Sequence, residues 1–150
     1  MLLFLLQYCG WNNRRVFWIY DPRGCGQKTL LAEYLWRTCH DVRELTAGRD
    51  CDLQYTCQVT DRVFVFDMPR DCDSVHVPYG TIEACCDGRF FHSKYQSKVV
   101  RSVRGQRFVL VLCNHEPSWD KLSRDRLHFY NCETKETLLP GESALRTREQ

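Results

Sequence analysis

Asp21-Pro22-Arg23-Gly24-Cys25-Gly26-Gln27-Lys28-Thr29 brings two glycines, a lysine and a hydroxyl into one short stretch. Glycines free backbone amides to turn inward around phosphate oxygens, a following helix adds the positive end of its dipole, and lysine reaches the outer phosphates. In that chemistry Gly24, Cys25, Gly26, Gln27, Lys28 and Thr29 would surround a nucleoside triphosphate, and the Thr29 hydroxyl would bind Mg2+. Two positions break the strict Walker A pattern. Asp21 stands where the opening glycine belongs, and Gln27 directly precedes the lysine. A β-carbon at residue 27 is expected to crowd the approach of backbone to phosphate, and a carboxylate at 21 to repel phosphate unless it points away. A glycine-rich turn ahead of an ordinary amphipathic helix accounts for the same spacing, so this loop alone decides little.

Two further polar residues follow apolar runs. Asp67 closes Val63-Phe64-Val65-Phe66, where a Walker B carboxylate would hold Mg2+ or its waters beside Thr29. Asn114 closes Phe108-Val109-Leu110-Val111-Leu112-Cys113, where a polar sensor would contact the γ-phosphate or the attacking water. An aspartate that merely ends a strand, and Asn114-His115-Glu116-Pro117 as a turn, are the plain alternatives. Order and spacing favour the chemical reading: loop, then aspartate, then asparagine, each at the end of an apolar run.

The elements needed to hold these residues are legible. Val16-Phe17-Trp18-Ile19-Tyr20 reads as a buried strand ended by Asp21-Pro22. From Thr29 to Thr38, Leu30, Leu31, Tyr34 and Leu35 recur at helical spacing. Val63–Phe66 and Phe108–Cys113 are further apolar strands, Leu127 to Tyr130 is a fourth, and Thr81 to Cys86 is a short helix stopped by Gly88. Strands apolar throughout and alternating with helices predict an α/β fold with a parallel central sheet covered on both faces. Such sheets place ligands at the carboxyl ends of their strands. The tail from Thr134 is polar and is expected to fray.

One hundred and fifty residues make one domain, and a 43% hydrophobic share is that of a globular chain. A net charge of +2 confines any phosphate binding to local basic clusters. Ten cysteines are spread without a Cys-x-x-Cys pair, which argues against a zinc site and for reduced thiols. A small secreted disulfide-rich protein is the minor alternative. It is disfavoured because Met1–Leu6 is apolar but lacks a basic flank and a small-residue cleavage site before Trp11. No apolar run approaches membrane-spanning length, so no membrane partner is expected.

Phe17-Trp18-Ile19-Tyr20 into the glycine loop, and Val63-Phe64-Val65-Phe66-Asp67-Met68-Pro69-Arg70, resemble the Rep proteins of nanoviruses and alphasatellites, and more distantly those of circoviruses. The Phe-Asp-hydrophobic-Pro-Arg tail is the most specific element. Tyr79-Gly80 through Gly88, Ser93-Lys94-Tyr95, Val109 to Pro117 and Leu122-Ser123-Arg124-Asp125-Arg126 are similar in turn, so the resemblance runs from about Val16 to Cys132. It implies a P-loop NTPase of AAA+-like, three-layer form. Residues 1–15 would be a lead-in, 16–132 a superfamily 3 helicase-type ATPase domain and 133–150 a polar tail.

The resemblance implies an ATP-dependent helicase that uses ATP and Mg2+ to move along single-stranded DNA, with RNA an open alternative, as a hexameric ring in the host nucleus. Lys28, Asp67 and Asn114 would act on the nucleotide. Arg126, or its neighbour Arg124, would be an arginine finger completing the adjacent subunit's site. Lys94, on a hairpin, would grip the strand with Lys98 and Arg101 beside it, although a solvated basic hairpin reads equally well. The five histidines include no His-x-His pair, and Tyr95-Gln96-Ser97-Lys98 falls after Asp67, so the nickase domain of such proteins is expected to be missing. A non-catalytic remnant that binds nucleic acid or Rep subunits, with the altered loop as its mark, is the second reading.

Overall fold

Residues 14–24, 27–72, 76–102 and 107–139 are described by this computed structural model. Six strands form one sheet in the order β2-β3-β6-β1-β7-β8, and β4 with β5 forms a separate antiparallel hairpin. In chain order the elements are β1 Val16–Tyr20, α1 Lys28–Thr38, β2 Val42–Leu45, α2 Asp50–Thr56, β3 Val63–Asp67, α3 Tyr79–Asp87, β4 Arg89–His92, β5 Lys98–Arg101, β6 Phe108–Cys113, β7 Leu127–Asn131 and β8 Thr137–Leu138. Every pairing in the large sheet is parallel except that of β7 with β8.

The all-apolar strands β1, β3 and β6 are adjacent, and their alternate residues supply two cores. Val16, Trp18, Phe64, Phe66, Val109 and Val111 face α3 and the hairpin, where Ile82, Cys85, Cys86 and Phe90 meet them. Phe17, Ile19, Val63, Val65, Leu110 and Leu112 face Ala32 and Leu35 of α1. A strand covered on both faces has no solvent side to mark with polar residues, which explains the uninterrupted runs. The result is the expected three-layer α/β fold with a parallel central sheet.

The helical spacing read for α1 is half right: Leu35 is buried and Leu31 packs against the core, while Ala32 takes the place expected of Leu30 and Tyr34. Ala32 and Leu35 are buried, whereas Leu30 and Tyr34 are exposed. Three elements had no sequence signal. β2 is a short edge strand, α2 buries no residue, and β8 lies in the stretch expected to fray, where it adds an antiparallel edge to β7. α2 is held through polar contacts. Asp50 accepts hydrogen bonds from Thr81 N (2.7 Å) and Thr81 Oγ1 (2.6 Å), capping the start of α3. Gly80 admits this carboxylate, since a β-carbon there would stand 2.9 Å from Asp50 Oδ2. From β2, Arg43 donates to both oxygens of buried Asp61, at 2.8 and 3.2 Å.

The described cysteines, Cys39, Cys51, Cys57, Cys72, Cys85, Cys86, Cys113 and Cys132, are free thiols. Burial pushes the Cys86 thiol up to about 12, and Cys85 is also raised by burial, so both stay protonated and packed as small apolar groups.

Candidate functional site

Parallel register brings three strand ends to one edge. Tyr20 lies opposite Cys113, and Asp67 lies opposite Leu112. The backbone continues to pair just beyond the strands, with Asp21 N donating to Cys113 O (3.0 Å) and Met68 N to Leu112 O (3.0 Å). β6 lies between β1 and β3, so the turn carrying Asn114 stands between the glycine loop and Asp67. That turn is fixed from behind: Trp18 Nε1 donates to His115 O at 3.0 Å, and Ser118 N donates to Tyr79 Oη at 2.7 Å.

Gly24, Gln27, Lys28, Thr29, Asp67 and Asn114 together line a cleft of about 310 Å³ at this edge. Of the loop residues expected there, Cys25 and Gly26 lie outside the described residues. The cleft is also lined by Thr46, which follows β2, and by Met68, Pro69 and Arg70. Thr46 could not be picked from the sequence because β2 itself was unread. Arg70 was visible as the end of the most specific motif, but nothing local gave it a task.

The two irregular loop positions are explained by geometry. Asp21 is buried and turns toward the lysine: its Oδ2 accepts from Lys28 Nζ at 3.1 Å, and its Oδ1 accepts from Gly24 N at 3.1 Å. Both charged side chains are over nine-tenths shielded, so the pair is only weakly screened. The anticipated repulsion therefore takes the form of competition for Lys28. Gln27 caps α1 in the left-handed region, with φ 56° and ψ 34°. Its side chain is exposed, so its penalty is backbone strain of about 1–2 kcal/mol.

Asp67 is half-buried, and burial raises its carboxyl above the ordinary carboxylate value while the charge of Lys28 pulls it partly back. Thr29 and Asp67 offer one hydroxyl and one carboxylate, the sparse oxygen donor set that suits a magnesium ion sharing its shell with phosphate and water. Among the described residues no three His, Cys, Asp or Glu side chains cluster as a metal cage.

Arg126 does not line the cleft. Its guanidinium donates to Glu83 Oε2 at 2.6 Å, lies 3.6 Å from Asp87 and is only 14% exposed. A finger reaching a neighbouring subunit needs a projecting guanidinium, and this one binds α3 of its own chain.

The basic residues expected on a hairpin fall on one, with different outcomes. Lys94 lies in the β4–β5 connection, where its Nζ pairs with Asp52 Oδ1 (2.8 Å) and stands 5.6 Å from the Tyr55 ring centre. Mutual hydrogen bonding raises the Lys94 ammonium and lowers the Asp52 carboxyl. Lys94 and Lys98 line an open groove of about 880 Å³ with Tyr55, His92 and Tyr95. Arg101 is not in it. It lies three residues from Lys98 on a strand, so side-chain alternation sends it to the opposite face, across from Arg89. Tyr95 is 97% exposed and holds a left-handed backbone, φ 63°.

Fold and edge cleft define an α/β protein compatible with the P-loop NTPase class. The apo structure, in its A form, of the C-terminal region of NrS-1 matches with TM-score 0.53 and 13% identity, covering 89% of this chain and 32% of that one. At that identity the likeness concerns the fold alone. No protein-family model matches the sequence. The chain is 33% identical over 116 residues to the Master replication protein of Faba bean necrotic yellows virus (isolate Syrian SV292-88), covering 77% of this chain and 39% of that protein. It is 33% identical over 114 residues to that of Subterranean clover stunt virus (strain F), covering 76% and 38%. It is 28% identical over 123 residues to Para-Rep C7 of the Faba bean necrotic yellows C7 alphasatellite, covering 81% and 43%. The chain is thus a homologue of nanovirus Master replication proteins and alphasatellite Para-Reps, and it spans about two-fifths of the length of these curated relatives.

Proposed function

We propose that the chain is the nucleotide-hydrolysing, helicase-type part of a viral replication protein, acting on single-stranded DNA. The observation that carries this reading is the convergence of Lys28, Thr29, Asp67 and Asn114 on one cleft at the carboxyl edge of a parallel sheet. Lys28 and the amide-rich loop hold the outer phosphates of ATP, and Asn114 orients the water that attacks the γ-phosphate, giving ADP and phosphate. Thr29 and Asp67 would hold Mg2+, which screens phosphate charge when bound.

The hairpin supports the nucleic-acid half of the reading. Arg89 and Arg101 stand opposite each other, a like-charge pair that by itself destabilises a hairpin and welcomes a polyanion. The groove on the other face combines Lys94 and Lys98 with the rings of Tyr55, His92 and Tyr95, the mix of cation and aromatic face that holds an unpaired strand. A ring assembly and the host nucleus go with this role. Among the described residues no helix is long and apolar enough to cross a membrane.

Magnesium-dependent ATP hydrolysis by the full chain, with and without single-stranded DNA, is the direct test. Hydrolysis stimulated by the strand and abolished by Lys28→Ala is expected; no ATP binding at millimolar nucleotide overturns the enzyme reading. The Asp21–Lys28 pair and the strained Gln27 favour a second reading, a non-catalytic Rep-like module that binds nucleic acid without turnover. Salt-sensitive DNA binding with no hydrolysis selects it.

A further inference from the structure

We infer that Arg70 is the cation by which this cleft tells a nucleoside triphosphate from a diphosphate. The inference rests on the nucleotide reading of the cleft and assigns a task to the most specific motif in the sequence.

Three charged side chains line the cleft: Lys28, Asp67 and Arg70. Lys28 already has a carboxylate partner in Asp21, at 3.1 Å. Arg70 has none among the described residues. Among the described residues its one hydrogen bond is long, Nη2 donating to Gly24 O at 3.4 Å, and its side chain is exposed. A guanidinium held so loosely exchanges that carbonyl readily for an anion. Its planar fork matches two phosphate oxygens at once.

Its placement is built, not incidental. Met68 is buried and pairs with β6 through its amide, and Pro69 accepts from Cys72 N at 3.1 Å to close a turn whose far end is the buried Cys72. Arg70 therefore projects from a short, anchored turn directly after Asp67. It lies across the glycine loop so closely that a β-carbon on Gly24 would stand 2.9 Å from Arg70 Nη2, at a residue with φ 70°. Gly24 serves two purposes, turning the loop and leaving room for the guanidinium.

The cleft then has two walls. The loop and Lys28 at the start of α1 hold the outer phosphates from one side, and Arg70, on the turn after Asp67, meets the terminal one from the other. When that phosphate is lost, Arg70 returns to the Gly24 carbonyl. The fork thus couples the end of β3 to the loop according to which nucleotide is bound.

The test is equilibrium binding of Mg-ATP and Mg-ADP to the full chain by titration calorimetry, for the wild type, Arg70→Ala and Arg70→Lys. The wild type should prefer ATP. Arg70→Ala should lose about tenfold or more in ATP affinity, the worth of a charge-assisted hydrogen bond, while ADP affinity stays within about twofold. Arg70→Lys should recover part of the preference. An unchanged ATP-to-ADP ratio in Arg70→Ala, or an equal loss of both nucleotides, overturns the inference while leaving the cleft reading intact. A wild-type chain that binds neither nucleotide overturns both.

Discussion

Replacing Asp21 by asparagine should tighten nucleotide binding. In the free protein Asp21 Oδ2 sits 3.1 Å from Lys28 Nζ, with both side chains shielded from water. A phosphate oxygen accepting from the same ammonium would do so at about 2.8 Å, so it can stand no farther than about 6 Å from the carboxylate. Two unit negative charges at that separation repel by about 0.7 kcal/mol in bulk water and about 3 kcal/mol at the effective dielectric of a protein surface. The cleft opens to solvent, so a value near 1.5 kcal/mol is appropriate, about tenfold in dissociation constant. Asparagine keeps the oxygen that accepts from Gly24 N, so the turn survives while the competing charge is removed. Calorimetric titration of Mg-ATP into wild type and Asp21→Asn should show about a tenfold gain for the variant, with the free variant unfolding at a lower temperature because Lys28 loses its partner. Equal or weaker binding by Asp21→Asn refutes the argument and means that the carboxylate helps by orienting the lysine.

Gln27→Gly removes a left-handed non-glycine residue and should stabilise the chain by up to about 1 kcal/mol, read as a higher urea midpoint at unchanged slope. If hydrolysis also rises, the loop is what limits the motor. His128 is 5% exposed and stacked on Phe17, and burial lowers its imidazole from 6.5 to about 4. The unfolded chain therefore takes up this proton before the folded chain does. His128 leaves stability unaffected above about pH 6.5 and lowers it by up to roughly 3 kcal/mol as pH falls toward 4. Denaturation curves across that window should show a shallower acid-side loss for His128→Phe; an unchanged slope would remove His128 as its cause. Tyr95→Ala should weaken single-stranded DNA binding by about 1–3 kcal/mol without lowering the melting temperature, because the ring is almost wholly exposed. A fluorescence-anisotropy titration that shows no loss would remove Tyr95 from the interface.

Much was legible in the chain itself. β1, β3 and β6 could be read because a strand buried on both faces is apolar almost throughout, and β7 because Leu127, Phe129 and Tyr130 leave only His128 polar inside it; that pattern is local. Asp67 and Asn114 could be chosen because each directly follows such a run, and Lys28 and Thr29 because they close the glycine loop after β1; parallel pairing sends all those strand ends to one edge. The Rep likeness lay in the same segments. Elements held by other means gave no such signal: α2 has no fully buried residue, rests Leu53 on the core and is tied down through Asp50, while β2 and β8 are short edge strands with mixed residues.

Tertiary structure alone decided which charges meet. Asp21 turned out to hold Lys28, Arg126 to be bound by Glu83, Lys94 by Asp52, and Arg70 to be the cleft's cation without a carboxylate partner among the described residues. It also split Lys98 from Arg101 across the two faces of a hairpin and set Tyr55 of α2 beside Tyr95. The reason is physical. Hydrophobic periodicity is imposed on each segment by its own burial, so it is written residue by residue. An ion pair depends on where two distant side chains finish in space, and only the closed fold specifies that.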